Sequence, residues 1–162
     1  MTDLQEIILL FRESLTLRPT SHPYRSSSLY NLANALLEHF GKTGSMTDLE
    51  EAILLHRESL SFRRTPHPAR FESLCSLTFA LWNRFEKTGS MTDLEEGISM
   101  LRESLSLGPV ATHRLSVLED LAHFLKIRFE ENGSQSDFEE AISLRQEIFA
   151  ISKMDSDTST TT

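Results

Sequence analysis

Met1-Thr2-Asp3-Leu4 returns as Met46-Thr47-Asp48-Leu49 and again as Met91-Thr92-Asp93-Leu94, with a weaker copy at Gln135-Ser136-Asp137-Phe138. The spacings are 45, 45 and 44 residues, and 27 of 45 positions are identical between residues 1–45 and 46–90. Agreement at that level is duplication. A period of this length is a supersecondary unit stacked in one dimension, because one copy is too small to bury its own apolar face. The repeats are 1–45, 46–90 and 91–134, followed by a partial copy at 135–152. Residues 153–162 are polar and aperiodic and are expected to form a disordered tail.

Each repeat holds two helical patterns. One opens at Thr47-Asp48-Leu49-Glu50, a threonine with a glutamate three residues on, which can satisfy the free N–H groups of a first turn. Asp48, Glu50 and Glu51 add negative charge at the positive helix end. The pattern runs through Ile53, His56 and Leu60 and fades near Arg64, before Pro66. Its counterparts start near Thr2, Thr92 and Ser136. The other pattern begins near Pro23, Pro68 and Thr112. Its apolar stripes are Leu29-Leu32-Leu36-Phe40, Leu74-Leu77-Leu81-Phe85 and Leu118-Leu121-Leu125-Phe129, spaced to share one helical face. Gly44, Gly89 and Gly133 then suit left-handed helix ends. The expected fold is all-α, about seven helices ordered B-A-B-A-B-A-B.

Composition agrees. The 162 residues include 25 leucines and 8 isoleucines but only Val110 and Val117 as valines, whereas strands favour β-branched residues. With 24 Asp+Glu against 16 Lys+Arg the net charge is −8, which argues against nucleic acid and against an anionic membrane surface. The lone Cys75 forms no internal disulfide and no cysteine-rich zinc site. No run approaches the eighteen or so apolar residues of a membrane span, and no signal peptide pattern opens the chain, so a cytoplasmic location is expected.

Ser28-Leu29-Tyr30-Asn31-Leu32-Ala33-Asn34-Ala35-Leu36, followed by Asp48-Leu49-Glu50-Glu51-Ala52-Ile53, resembles the tetratricopeptide (TPR) pattern. The chain is similar to long TPR-like repeats of large fungal proteins, often linked to CHAT or nucleotide-binding domains. The resemblance implies an α-solenoid of antiparallel helix pairs, a TPR-like superhelix, that binds a protein or peptide and is not an enzyme. It also implies that helix A lines a concave face. That maps a candidate peptide groove to Tyr30, Asn31, Asn34, Leu37, Phe79, Trp82, Asn83, His123 and Lys126. Trp82 and Phe79 serve there as aromatic anchors, or else pack against the next helix A. Asn31 matches the asparagine of the chaperone-tail clamp, but its basic companions are missing and Asp120 opposes a carboxylate.

The small position of helix B is Ala52, Gly97 and Ala141, but Ile7 in the first copy. Ile7, Leu10 and Phe11 make that first helix apolar nearly all round; they either cap the array or pack against a second chain as a homodimer. His56 reads as a packing histidine. His22-Pro23 and His67-Pro68 read as turn-and-cap pairs, since one histidine per repeat gives no chelating cluster. No Gly-rich phosphate loop, nucleophile elbow or His-Glu-x-x-His motif occurs, so neither cofactor, metal nor catalytic residues are expected.

Overall fold

A computed structural model describes residues 3–159, without the side chains of 111, 112 and 154–159. Among these residues it contains seven α-helices and no strand. They are α1 (Asp3–Thr16), α2 (Arg25–Thr43), α3 (Met46–Phe62), α4 (Arg70–Thr88), α5 (Met91–Ser106), α6 (Ala111–Asn132) and α7 (Gln135–Ser159). The chain divides into two compact units, Met1–Asp93 and Leu94–Thr162.

In the N-terminal unit α2 packs on α1 and α3, and α3 packs on α4. The expected stripe is the core: Leu29, Leu32, Leu36 and Phe40 of α2 and Leu74, Leu77 and Leu81 of α4 are buried, with Leu49 and Ile53 of α3 between them. Each such side chain contributes about 1.5–3 kcal/mol of apolar burial. In the C-terminal unit α6 packs on α7. Leu94, Ile98 and Leu101 of α5 and Leu118, Leu121 and Leu125 of α6 are buried. Phe85 and Phe129, the last members of their stripes, are only half-buried.

The A helices end as the glycines imply. Gly44, Gly89 and Gly133 take φ of 72°, 68° and 71°, and their N–H groups return to the carbonyls of Phe40, Phe85 and Phe129 at 2.7, 2.7 and 2.8 Å. A Cβ at those φ values strains the backbone. The turns before helix A are held by histidine: His22 Nδ1 accepts from Tyr24 N–H at 3.2 Å, and His67 Nδ1 from Ala69 N–H at 3.1 Å.

Two boundaries differ from expectation. The N-cap of α3 is Ser45, whose side chain accepts the Asp48 N–H at 3.4 Å, rather than Thr47. The Asp48 carboxylate is engaged by His39, at 2.5 Å, and the capping falls to the serine two residues earlier. Thr2, the expected start of α1, lies outside the described residues. The second difference is α7, which continues to Ser159 instead of stopping near residue 152. No proline or glycine interrupts residues 135–159. Residues 160–162 of the expected tail lie outside the described ones.

Candidate functional site

Charge links each A helix to the B helix that follows. His39 Nδ1 lies 2.5 Å from Asp48. At the equivalent place Arg84 grips Asp93 with two hydrogen bonds of 2.7 and 2.5 Å, and Arg128 grips Asp137 at 2.6 and 2.7 Å. The Arg128 hydrogen bond holds the Asp137 carboxyl below the usual carboxylate range. A second rung joins Arg25 to Glu58 at 3.0 and 2.8 Å, and Arg114 to Glu147 at 3.2 and 2.7 Å. Ser59 Oγ, on α3, donates to the Ser26 carbonyl of α2 at 2.8 Å. These groups fix helix rotation and so decide which side chains reach the surface.

On the N-terminal unit the rotation opens a cavity of about 610 Å³ between α2 and α4. Three of the expected groove residues, Asn34, Leu37 and Phe79, line it, together with Glu38, Gly41, Lys42, Cys75 and Ser76. Phe79 is 59% exposed, a large apolar ring open to solvent. Lys42 Nζ and Glu38 form an ion pair of 2.7 Å at its rim. Gly41 and Lys42 carry the spacing 34-37-38-41 one turn further, a periodicity the sequence already displays.

The other expected residues have different surroundings. Tyr30 is half-buried; its hydroxyl lies 3.0 Å from Ser76 Oγ, tying α2 to α4. Its ring meets the His56 ring edge-on at 5.5 Å, and the Arg63 guanidinium sits 4.6 Å above it. His56 is fully buried, not merely a partly covered packing residue. Burial, reinforced by the Arg63 charge, lowers its pKa from 6.5 to about 4, so the ring is neutral at physiological pH. Neither ring nitrogen has a hydrogen-bond partner among the described residues. Arg63 donates to Ser73 Oγ at 2.7 Å, and its pKa is lowered, chiefly by desolvation. The Tyr30 hydroxyl connects this trio to Ser76, one of the cavity's lining residues.

Asn31 is exposed. Trp82 is half-buried with its ring 5.6 Å from Phe85, and the Asn83 amide donates to the Phe79 carbonyl of its own helix at 2.7 Å. His123 and Lys126 belong to α6 of the C-terminal unit; both are exposed, and Lys126 pairs with Glu130 at 3.2 Å. That unit has its own cavity of about 380 Å³ between α6 and α7, lined by Glu119, Ala122, Arg145, Ile148, Phe149 and Ser152. Phe149 is 72% exposed and was not among the expected contacts, because only A helices were mapped to a binding face.

On α1, Leu4 and Ile8 are buried against α2, while Ile7 and Leu10 stand 42% and 57% exposed and Phe11 is half-buried. Ile7 is thus exposed where Ala52, Gly97 and Ala141 are all buried. Charge is uneven along the chain: 11 acidic against 10 basic residues in 1–93, and 13 against 6 in 94–162. Among the described residues no three His, Cys, Asp or Glu side chains gather where a metal ion could sit. No helix among them is long and apolar enough to cross a membrane.

Comparison with known proteins follows the same architecture. Residues 25–69 match the tetratricopeptide repeat family model. No curated protein matches the sequence. Among solved structures, the chain is similar to the nearly identical TPR-like repeats of a Podosopora anserina kinesin light chain-like protein. The TM-score is 0.66 and the identity 21%, over 93% of this chain and 68% of that one. A single-substitution variant of that protein gives 0.63 and 20%, over 95% and 69%. The DHF58 filament gives 0.53 and 17%, over 95% and 78%. Proteins of TPR-like repeats generally mediate protein–protein interaction or assembly and are typically scaffolds rather than enzymes. Residues 25–69 carry a tetratricopeptide repeat, and the chain is an all-α protein of the TPR-like helical-repeat, α-solenoid class.

Proposed function

We propose that the chain is a non-enzymatic, cytoplasmic interaction module that seats an amphipathic helix or extended peptide on the A-helix face of its N-terminal unit. The observation that carries this reading is the cavity between α2 and α4 with the exposed Phe79 ring at its edge. A pocket that takes one apolar anchor, rimmed by a charged pair, is how helical grooves concentrate binding energy in a few residues. Leu37 supplies the apolar wall and Asn34 a polar handle that orients a backbone or side chain. The hydrogen bond between Tyr30 and Ser76 helps to keep α2 and α4 at their spacing. Asn31, Trp82 and Asn83 flank the groove on the same helices. The acidic balance supports a protein partner over nucleic acid or an anionic membrane.

The test is capture from the source cell, read by mass spectrometry, with wild-type chain against Phe79→Ala and Leu37→Asp. A partner retained by wild type and lost at least tenfold by both variants, with helicity unchanged, supports the groove. Equal retention removes it.

A second reading is assembly of identical chains through Ile7, Leu10 and Phe11, favoured by the exposure of the first two. One fold relative, the DHF58 structure, is a filament. Sedimentation at tens of micromolar tests it: a mass near 18.5 kDa throughout excludes the dimer.

A further inference from the structure

The outer face of α1 carries more than exposed leucine. The repeats make it comparable, residue by residue, with two B helices whose same face is covered. α3 is covered by α2, and α7 by α6. In both, an acid at the helix start and a second acid ten residues on are paired to bases of the covering helix. Asp48 meets His39 and Glu58 meets Arg25; Asp137 meets Arg128 and Glu147 meets Arg114. The bases are therefore fourteen residues apart on the covering helix, nearly four turns, so they project from one side. Between the two rungs lies the buried small residue, Ala52 or Ala141.

α1 has the same acids in the same register, Asp3 and Glu13. Both side chains are exposed, and neither has an ion-pair partner among the described residues. Between them lies the apolar strip of Ile7, Leu10 and Phe11. Ser14 matches Ser59, whose hydroxyl donates to a carbonyl of α2. Apolar strip, two flanking carboxylates and a hydroxyl thus reproduce the covered face of α3, with two changes: Ile7 replaces a small residue and Phe11 replaces His56.

We propose that the outer face of α1 docks a basic amphipathic helix of a partner protein, one carrying two cationic side chains about fourteen residues apart on either side of an apolar stripe. The charges select this occupant over a second copy of the same helix. An α1–α1 contact brings the Asp3, Glu6 and Glu13 carboxylates of both copies to one interface. The cation of α1, Arg12, is already engaged with Glu51, and Arg18 just beyond the helix with Ser28. Like charges set against one another at an interface disfavour that pairing, whereas a helix with two bases in register satisfies both acids. Ile7 adds a steric condition: the docked helix must be slim at its level, as α2 is at Ala33.

The probe is a lactam-stapled peptide of residues 23–43, the helix that covers α3 and carries Arg25 and His39 fourteen residues apart. It is titrated into the full chain by calorimetry, with amide shifts followed by NMR. The expected result is one-to-one binding, with shifts centred on α1. Glu13→Lys and Asp3→Lys should each weaken it roughly tenfold, and a peptide with Arg25→Glu should recover the loss against Glu13→Lys. Ile7→Ala should tighten binding, since it restores the small position, whereas a merely sticky apolar patch would bind less. Several results overturn the proposal: no binding, binding indifferent to both charge reversals, or shifts centred on α3, which mean exchange with α2. So does a chain that doubles its own mass and ignores the peptide, which makes a second copy the occupant.

Discussion

The same layer of the repeat is filled in two different ways in the two units. In the N-terminal unit the small position of helix B is Ala52, and the equivalent of Phe124 on the next A helix is Ala80; both are fully buried. In the C-terminal unit Gly97 replaces the alanine, and the Phe124 ring occupies the vacated space, close enough that a Cβ on Gly97 would lie 2.5 Å from Cε2. One turn on, His56 with its polar companions is replaced by Leu101, 1% exposed. Near-identical repeats therefore hide unlike energetics. The N-terminal unit has alanine at both positions and a neutral histidine one turn on; the C-terminal unit has glycine, a large ring and leucine. The ring sits where Gly97 has given up a methyl, so a change at one position is accommodated by its neighbour, as close-packed interiors require.

The largest effect follows from that pairing. Phe124→Ala removes a buried ring with only glycine opposite, and should cost about 3–5 kcal/mol. Adding Gly97→Ala gives alanine at both positions, as in the N-terminal unit, and should recover part of the loss, about 1 kcal/mol or more. Urea unfolding of the two variants measures both. If the double variant is no better than the single, the two residues are not complementary and the contrast between the units fails.

Next comes pH. His56 is protonated in the unfolded chain below about 6.5 but in the folded chain only below about 4. Between these values the unfolded state binds more protons, so stability falls as pH falls, at up to about 1.4 kcal/mol per pH unit and by roughly 3 kcal/mol at pH 4. Above pH 6.5 this contribution is complete. His56→Leu installs the residue of the C-terminal unit and should flatten the part of the profile between pH 6.5 and 4. A profile of unchanged slope would mean that this histidine is not what distinguishes the units.

Much of this was legible in the sequence, for reasons that also set the limit. The leucine stripes and the glycines after Thr43, Thr88 and Asn132 declare helices because periodicity and left-handed caps are local properties. Ser45 competes in the sequence with Thr47 as the cap, since each hydroxyl is followed three residues on by an acid, Asp48 or Glu50, and local pattern alone does not choose between them. Of the nine groove residues, Asn34, Leu37 and Phe79 line one cavity, but Trp82 rests against Phe85. Which of two aromatic residues three positions apart stays open is set by helix rotation, fixed by ion pairs to another helix. The residue that fills the space at Gly97 is Phe124 of α6, which no local pattern indicates because it comes from the next repeat.

Gly97→Ala alone sharpens the comparison at a smaller scale. In an open helix the change gains about 0.5–1 kcal/mol. Here the new methyl must displace Phe124, a ring 4% exposed with little room to turn, and overpacking costs about 1–3 kcal/mol. The net should be a loss of about 1 kcal/mol, with a lower melting temperature. Ala52→Gly, the reciprocal change, should lose a similar amount for the opposite reason, a more flexible backbone and a lost methyl contact. A rise in melting temperature for Gly97→Ala would show that the ring yields freely.

The smallest effect concerns the rung between helices A and B. His39 makes one bond to Asp48, whereas Arg84 and Arg128 each make two to Asp93 and Asp137. The carboxylates differ accordingly: Asp93 and Asp137 are 1% and 4% exposed and Asp48 17%. His39→Arg should let α2 adopt the two-bonded geometry of its counterparts. A planar guanidinium supplies parallel donors that an imidazole cannot, and it stays charged at every working pH. The site is partly open to water, so the gain is limited to about 0.5–1 kcal/mol, seen as a rise in the urea midpoint with unchanged slope. If His39→Arg is neutral, the histidine rung already holds α2 as firmly as arginine holds α4 and α6, and the N-terminal rung is no weaker than the rest.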